Sequence, residues 1–277
     1  MTSRDAVNLA WRWWPRDTRI GHTGTLDPLA TGVLVLCVGT ATRLAEYVQA
    51  MEKVYRAGIV LGTESTTDDA EGKLTARPGA SPPPAAKLEQ VLQSFVGTIE
   101  QVPPAHSAAK VAGRRAYALA RQGREVNLAA RPVSIYTLSI LEYTYPRLSI
   151  EVRCGKGTYI RALARDLGAR LECGAYLESL RRTRVGHFLG DDAIAPDADQ
   201  EAALARFRPL EEAVRELRHV VVNDEEVQSL VNGQALPRED DYSDGAEVAL
   251  MTAEQRLVGI GVVERNKGVI QPRKIFN

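Results

Sequence analysis

One short segment of the sequence holds most of its potential chemistry. Residues 21–32 read GHTGTLDPLATG and place a single carboxylate, Asp27, among three glycines. The apolar, β-branched residues 32–39 that follow predict a buried strand. A carboxylate on a glycine-rich loop beside such a strand can be held rigidly and stay accessible, and catalytic groups concentrate on loops of this kind. The structural alternative is that Asp27 and Pro28 only start a turn.

Other catalytic patterns are missing from the sequence. The four histidines and three cysteines are scattered and form neither a zinc-ligand spacing nor a CxxC pair, so we expect no metal. Residues 155–158 (GKGT) resemble the end of a phosphate-binding loop, but Ile150 stands where that pattern requires glycine. Neither GxGxxG nor GxSxG occurs. We therefore expect an activity that needs no cofactor.

Composition narrows the class of protein. The chain has 277 residues, 44% hydrophobic and 25% charged, which is typical of a globular protein with one substantial domain and one small one. No segment has the pattern of a secretory signal, and no apolar run approaches the ~20 residues that cross a bilayer. Three isolated cysteines favour a reducing compartment. We expect a cytoplasmic monomer with no membrane partner.

The formal net charge is zero, but the charges are unevenly distributed. Residues 105–131 contain six Lys and Arg against one Glu (+5), and residues 147–187 contain nine against four acids (+5). Residues 191–247 contain five arginines and sixteen acids (−11). Polyanion binding depends on the local patch and not on the sum. The basic middle of the chain fits a nucleic-acid partner, and it also fits ordinary solvated faces.

Periodicity and turn residues predict the elements that must position Asp27. The predicted helices cover residues 3–14, 41–51, 85–95 and 158–171. The predicted strands cover residues 53–61 and 147–154. Short β-rich runs separated by glycine turns then predict a small C-terminal β-barrel, at residues 220–222, 246–252, 257–263 and 269–275. These elements indicate an α+β fold with domains at residues 1–212 and 213–277 and a basic insertion at residues 101–131.

Residues 21–32 closely resemble the catalytic motif of the bacterial tRNA pseudouridine-55 synthases of the TruB type. Further motifs of that family are matched in order, by residues 53–56 (KVYR), 102–110 (VPPAHSAAK), 154–161 (CGKGTYIR) and 180–182 (LRR). The C-terminal residues resemble a PUA-type RNA-binding domain. The resemblance covers essentially the whole chain. It implies the pseudouridine synthase fold, with a central mixed, mostly antiparallel sheet flanked by helices and a PUA-like barrel.

The resemblance also implies a reaction and the residues that perform it. The reaction would be the isomerisation of uridine 55 in the T loop of tRNA to pseudouridine, without a cofactor. Asp27 would be the nucleophile, Arg161 its bidentate partner and Tyr55 a third catalytic residue. Attack of Asp27 on the ribose, attack on the base and abstraction of a ribose proton all fit the sequence. The implied substrate-binding residues are His22, Tyr55, Tyr159 and Leu180. The implied RNA-binding residues are Lys110, Arg114, Arg115 and Arg121.

Two alternatives and two departures from the family pattern remain. The alternatives are a related synthase that modifies another RNA, and a non-catalytic RNA-binding or tRNA-folding protein of the same fold.

The family usually has a strand and a KPxG segment before its first helix, whereas residues 2–5 (TSRD) already match that helix start. We therefore expect the natural chain to begin upstream of Met1. His106 stands where the family usually has tyrosine, although both rings can stack on a base.

Overall fold

The computed structural model describes residues 1–107, 110–111, 114–115, 128–238 and 242–276, with only the backbone described at residues 110, 111, 114 and 115. The chain divides into two compact units. The first unit comprises Met1–Ser3, Gly24–Val35 and Ala50–Ala193. The second comprises Arg4–Thr23, Leu36–Gln49 and Ile194–Asn277.

Helices and runs of consecutive strands both occur in the parts of the chain that the structure describes. The described α-helices are α1 (Ser3–Ala10), α2 (Ala45–Ala50), α3 (Ala85–Gln93), α4 (Ile160–Arg170), α5 (Gln200–Ala205) and α6 (Asp224–Val231). Short 3₁₀ helices lie at Trp11–Trp13, Gly39–Leu44, Gly190–Asp192, Leu210–Val214 and Arg265–Lys267. The first nine strands are β1 (Ile20–His22), β2 (Thr31–Gly32), β3 (Leu36–Val38), β4 (Lys53–Leu61), β5 (Thr63–Ser65), β6 (Leu74–Ala76), β7 (Gly97–Gln101), β8 (Lys110–Val111) and β9 (Arg114–Arg115). The other strands are β10 (Arg131–Thr144), β11 (Arg147–Cys154), β12 (Ala175–Val185), β13 (Phe188–Leu189), β14 (Arg218–Val221), β15 (Leu236–Pro237), β16 (Glu247–Met251), β17 (Leu257–Glu264) and β18 (Val269–Ile275).

A seven-stranded sheet is the centre of the first unit. Its strand order is β13-β12-β4-β11-β10-β7, and β2 pairs with β12 off this path. Every neighbour is antiparallel except β2, which runs parallel to β12. Alternate residues of β4 (Ala57, Ile59 and Leu61) are 1% exposed and belong to one core cluster. Because side chains of a strand alternate between faces, this pattern places one face of the sheet in the core.

Helix α4 packs on the buried face of this sheet and carries Arg161. Leu163 and Leu167, one helical turn apart, are fully buried in the same core cluster as β4. Gly168 allows close approach to β12, since a Cβ there would lie 2.2 Å from the backbone N of Ala175. The helix is therefore fixed against β12 and β4, the two strands that hold Leu180 and Tyr55.

The second unit contains a five-stranded sheet with the order β14-β16-β17-β18-β15. The β14–β16 pair is parallel and the others are antiparallel. Val248, Leu250 and Ile270 are fully buried in the core of this sheet. Residues 213–277, predicted as an RNA-binding domain, lie within this unit, and the domain boundary stays a prediction. No helix in the described ranges is long and apolar enough to cross a membrane.

The predicted α+β class and the mixed, mostly antiparallel central sheet are confirmed. Strands β4 and β11 have the predicted bounds, and α4 begins at residue 160 instead of 158. The single strand predicted over residues 32–39 is wrong. The segment forms β2, which pairs with β12, and β3, which pairs with β1. Gly32 has a φ of +99°, in the left-handed region, and turns the chain between these two pairings.

Candidate active site

The structure brings Asp27 and Arg161 into a two-point ion pair within the first unit. Arg161 Nε donates to Asp27 Oδ2 and Nη2 donates to Oδ1, each at 2.9 Å. The Arg161 side chain is 4% exposed and the Asp27 side chain 27% exposed. A planar guanidinium matches both oxygens of a carboxylate, so this contact fixes the orientation of Asp27 as well as its charge. Part of the carboxylate stays open to a substrate.

A second carboxylate, Asp69, shares the same guanidinium. Arg161 Nη1 donates to Asp69 Oδ2 at 3.1 Å, and the Asp69 side chain is 3% exposed. Asp69 Oδ1 accepts hydrogen bonds from Thr67 Oγ1 at 2.5 Å and from the backbone N of Glu71 at 3.1 Å. Asp69 is therefore fixed by its own loop and can hold Arg161 in place behind Asp27.

Sequence reasoning missed Asp69. Residues 62–72 read only as a polar loop, and this loop contains two adjacent aspartates. Asp68 binds Arg165 at 3.0 Å, one helical turn beyond Arg161, while Asp69 binds Arg161 itself. The two adjacent aspartates in the sequence indicate that this loop could bind a cation. Only the fold shows that Asp69, and not Asp68, binds Arg161.

Every N–H of Arg161 has an acceptor. Beyond the two carboxylates, Nη1 reaches the backbone O of Thr67 at 3.4 Å and Nη2 donates to the backbone O of His106 at 3.0 Å. The five N–H groups of a guanidinium are thus all directed to oxygen. A buried guanidinium with all its donors bonded has a single orientation, and its two bonds to Asp27 therefore fix the orientation of that carboxylate.

Tyr55 lies on β4 beside this pair and keeps its phenolic proton at neutral pH. Burial raises the pKa of Tyr55 above its ordinary value of 10.0, and the nearby Arg182 guanidinium partly offsets this increase. The Asp27 carboxylate is also close enough to raise the pKa of Tyr55. A protonated phenol near Asp27 can donate a hydrogen bond while its ring packs against a base.

The other implied substrate-binding residues have different positions. Tyr159 is the N-cap residue of α4, and its backbone N and O are both hydrogen-bonded to the side chain of Gln101. Leu180 lies on β12 in the core cluster that Tyr55 packs against. Both are therefore on elements that also hold the Asp27 site. His22 is the last residue of β1, in the second unit, and its role stays a prediction.

Three of the four implied RNA-binding residues lie on one short hairpin. Strands β8 and β9 pair antiparallel, with Lys110 opposite Arg115. Arg114 lies opposite Val111 in the same hairpin. Arg121 lies outside the described residues. RNA binding by this segment stays a prediction.

The reactive group of this site is the Asp27 carboxylate. Within the described ranges, no group of three or more His, Cys, Asp or Glu side chains could hold a metal ion. Asp27, fixed by Arg161 and partly exposed, can attack an electrophilic carbon or accept a proton. The protonated Tyr55 is the nearest predicted partner for a proton transfer.

Three models of known protein families match this chain. Residues 12–160 match the family model for the N-terminal domain of the TruB family pseudouridylate synthases. Residues 161–227 match the C-terminal domain of tRNA pseudouridylate synthase B, and residues 219–276 match the C-terminal model of pseudouridine synthase II TruB. The three matches cover almost the whole chain and include every implied site residue.

Curated relatives and solved structures extend the likeness over the full length. A tRNA pseudouridine synthase B of Dehalococcoides mccartyi is 40% identical over 282 residues, which cover 100% of this chain and 93% of the relative. One of Clostridium kluyveri is 41% identical over 240 residues, 86% of this chain and 82% of the relative. A chain from a Cbf5-Nop10-Gar1 complex matches 100% of this chain and 82% of its own length, with a TM-score of 0.76 and 26% identity. The chain therefore belongs to the TruB family of pseudouridylate synthases.

Proposed function

We propose that this protein isomerises the uridine at position 55 in the T loop of tRNA to pseudouridine, with Asp27 as the nucleophile. Family membership supports the reaction, and relatives named tRNA pseudouridine synthase B support tRNA as the substrate. The observation that carries the assignment of Asp27 is its two-point pair with Arg161, inside the segment that matches the family motif.

The reaction rearranges one nucleotide and imports no atoms. The bond between N1 of uracil and C1′ of ribose breaks, the base turns, and C5 bonds to C1′. C5 then loses its proton and N1 gains one, so the product is an isomer of the substrate. Asp27 assists by adding to the nucleotide and leaving again, and Arg161 stabilises the carboxylate in both steps. Tyr55 packs against the base and exchanges a proton with it. Oxidation state does not change, so the residues of the chain are sufficient for the chemistry.

The uridine must leave its stack before Asp27 can reach it. Extraction of a base costs a few kcal/mol, which RNA contacts elsewhere must offset. We assign those contacts to the β8–β9 hairpin, to Arg121 and to residues 213–277, with His22, Tyr159 and Leu180 around the extracted nucleotide. RNA loops are recognised by shape, phosphates and splayed bases, and basic hairpins suit that task. We further propose that the enzyme acts as a monomer in the cytoplasm.

Two other functions are separable from this one by experiment. A related synthase of the same family would form pseudouridine in an RNA other than tRNA. A non-catalytic RNA-binding protein would bind tRNA and leave its uridines unchanged. Pseudouridine mapping in purified tRNA after incubation with the protein distinguishes the three, because each predicts a different product.

Asp69→Asn should slow isomerisation by about 10- to 100-fold, because hydrogen bonds to charged groups contribute about 1.5–3 kcal/mol and 1.4 kcal/mol is a factor of ten. The asparagine keeps the shape of the side chain but removes the negative charge behind Arg161. The measurement is the single-turnover rate with tRNA, together with the Kd. Asp68→Asn is the matched control, since it removes a charge from the same loop but its partner Arg165 does not contact Asp27 in the described structure. Equal losses in the two variants would contradict the role of Asp69.

Simultaneous reversal of Arg114, Arg115 and Arg121 to glutamate should weaken tRNA binding and flatten its dependence on salt. Each lost phosphate contact lowers the log–log slope by about 0.7–0.9, so three contacts lower it by about 2. The measurement is Kd against salt concentration. The same change at Arg206, Arg208 and Arg215, in the acidic region of residues 191–247, serves as the control. An unchanged slope in the first variant would show that the insertion does not touch the RNA backbone.

A further inference from the structure

Arg182 on β12 has a buried guanidinium that the site described above does not use. The residue is 2% exposed. Its Nε donates to the backbone O of Val33 at 2.8 Å, and its Nη2 donates to the backbone O of Gly24 at 3.1 Å. Gly24 and Val33 are the two ends of the segment that carries Asp27. The guanidinium therefore ties the entering and leaving ends of this segment together.

The backbone of Arg182 holds the same segment. The N of Val33 donates to the O of Arg182 at 2.9 Å, and Gly32 pairs with Arg182 where β2 meets β12. A Cβ at Gly32 would lie 2.1 Å from that oxygen, so only glycine permits this contact. Side chain and backbone of one residue thus fix the segment on both sides of Asp27.

Arg182 also acts on Tyr55. The two residues are direct partners across β12 and β4, where opposite side chains lie about 5 Å apart on one face. Burial raises the pKa of Tyr55, and the charge of the neighbouring Arg182 guanidinium partly offsets this increase. One buried arginine therefore bonds the segment of the nucleophile and pairs across the sheet with the candidate proton donor.

Arg182 differs from Arg161 in the partners of its guanidinium. Among the residues that the structure describes, Arg182 has no carboxylate partner, whereas Arg161 is shared by Asp27 and Asp69. Burial of an unpaired cation is unfavourable for folding, so an apolar residue of similar volume would be the more stable choice here.

We propose that Arg182 is a positioning residue for the isomerisation. It holds the Asp27 segment against β12 and orients the Tyr55 hydroxyl, so that the Asp27 carboxylate and the Tyr55 phenol both contact the same uridine. The inference rests on the proposed function, because it concerns the step that Asp27 performs. Arg182 acts through these two groups and not by contact with the RNA.

The test compares Arg182→Met, Arg182→Lys and the matched control Arg184→Met. Arg184 lies on the same strand but is 35% exposed and paired with Glu52. The readout is the single-turnover rate constant for pseudouridine formation at saturating enzyme, with the Kd for tRNA and the Tm. At saturation this rate constant describes the bound complex only, so a smaller folded fraction does not change it.

We expect Arg182→Met to lower the rate constant on the order of 10²-fold, the effect of a misplaced catalytic group, with the Kd within about threefold of wild type. Arg182→Lys keeps the charge but cannot reach the carbonyls of both Gly24 and Val33, so its rate constant should lie between those of the wild type and Arg182→Met. If Arg182→Met does not fold, Arg182→Lys serves as the test. Wild-type rate constants in the folded Arg182 variants, or an equal loss in Arg184→Met, would overturn the inference. Failure of the wild-type protein to form pseudouridine would instead overturn the proposed function.

Discussion

Asp27→Asn should abolish isomerisation while tRNA binding stays within a few-fold of wild type. Asparagine has the same shape and can still accept one hydrogen bond from Arg161, but its neutral amide is a poor nucleophile. We expect the rate to fall by at least about 10⁴-fold, the order observed when a member of a catalytic unit is removed. Binding should persist because phosphate contacts dominate the affinity of proteins for nucleic acids.

The measurement is a single-turnover assay of pseudouridine formation beside a Kd for the same tRNA. A Tm close to that of wild type ensures that the loss is chemical, and the partial exposure of Asp27 favours such a result. Asp17→Asn, an exposed aspartate of the second unit, is the control for loss of one charge. Substantial turnover by Asp27→Asn would remove Asp27 from its proposed role.

Arg161→Lys should be the second most damaging single change. Lysine keeps the charge but offers three donors from one point, whereas Arg161 supplies two parallel hydrogen bonds to Asp27 and three more to Asp69, Thr67 and His106. We expect a rate loss of about 10²- to 10³-fold, since misplacement of a catalytic group alone costs on the order of 10². The unfolding free energy should fall by about 1–3 kcal/mol, because buried acceptors lose their donors.

Arg165→Lys provides the matched control for this change. Arg165 lies on the same helix, is 32% exposed and binds Asp68 and Asp166 instead of Asp27. Its replacement should change the rate by no more than a few-fold. A near wild-type rate for Arg161→Lys would show that the two-point pair with Asp27 has no catalytic importance.

The sequence was sufficient to predict the elements with strong local patterns. β4 alternates buried and more exposed residues, and α4 has apolar residues at helical spacing after a glycine turn, so periodicity located both. β12 was missed because its sequence is rich in arginine, and its pairing with β4 depends on residues more than a hundred positions away. β10 was missed as well, since its many exposed positions hide the alternation. Long-range pairing is not encoded in any local window.

The site residues divide in the same way, into residues that lie in recognisable sequence motifs and residues whose contacts form only in the folded chain. Asp27, Tyr55 and Arg161 were predicted from the resemblance to a family, because each lies in a recognisable motif. Asp69 and the buried contacts of Arg182 were not predicted. Asp69 comes from a polar loop without a motif, and Arg182 is one of three arginines within residues 181–184, with no local sign of burial. Their partners are Arg161 for Asp69, and Gly24, Val33 and Tyr55 for Arg182. Only the folded chain brings these residues together.

Pseudouridine mapping at nucleotide resolution tests the central claim most directly. A full-length tRNA transcript is incubated with the purified protein, without added cofactor, and in parallel with the Asp27→Asn variant. We expect pseudouridine at position 55 of the T loop with the wild-type protein and none with the variant. Pseudouridine at another position, its absence from the wild-type reaction, or equal amounts in both reactions would contradict it.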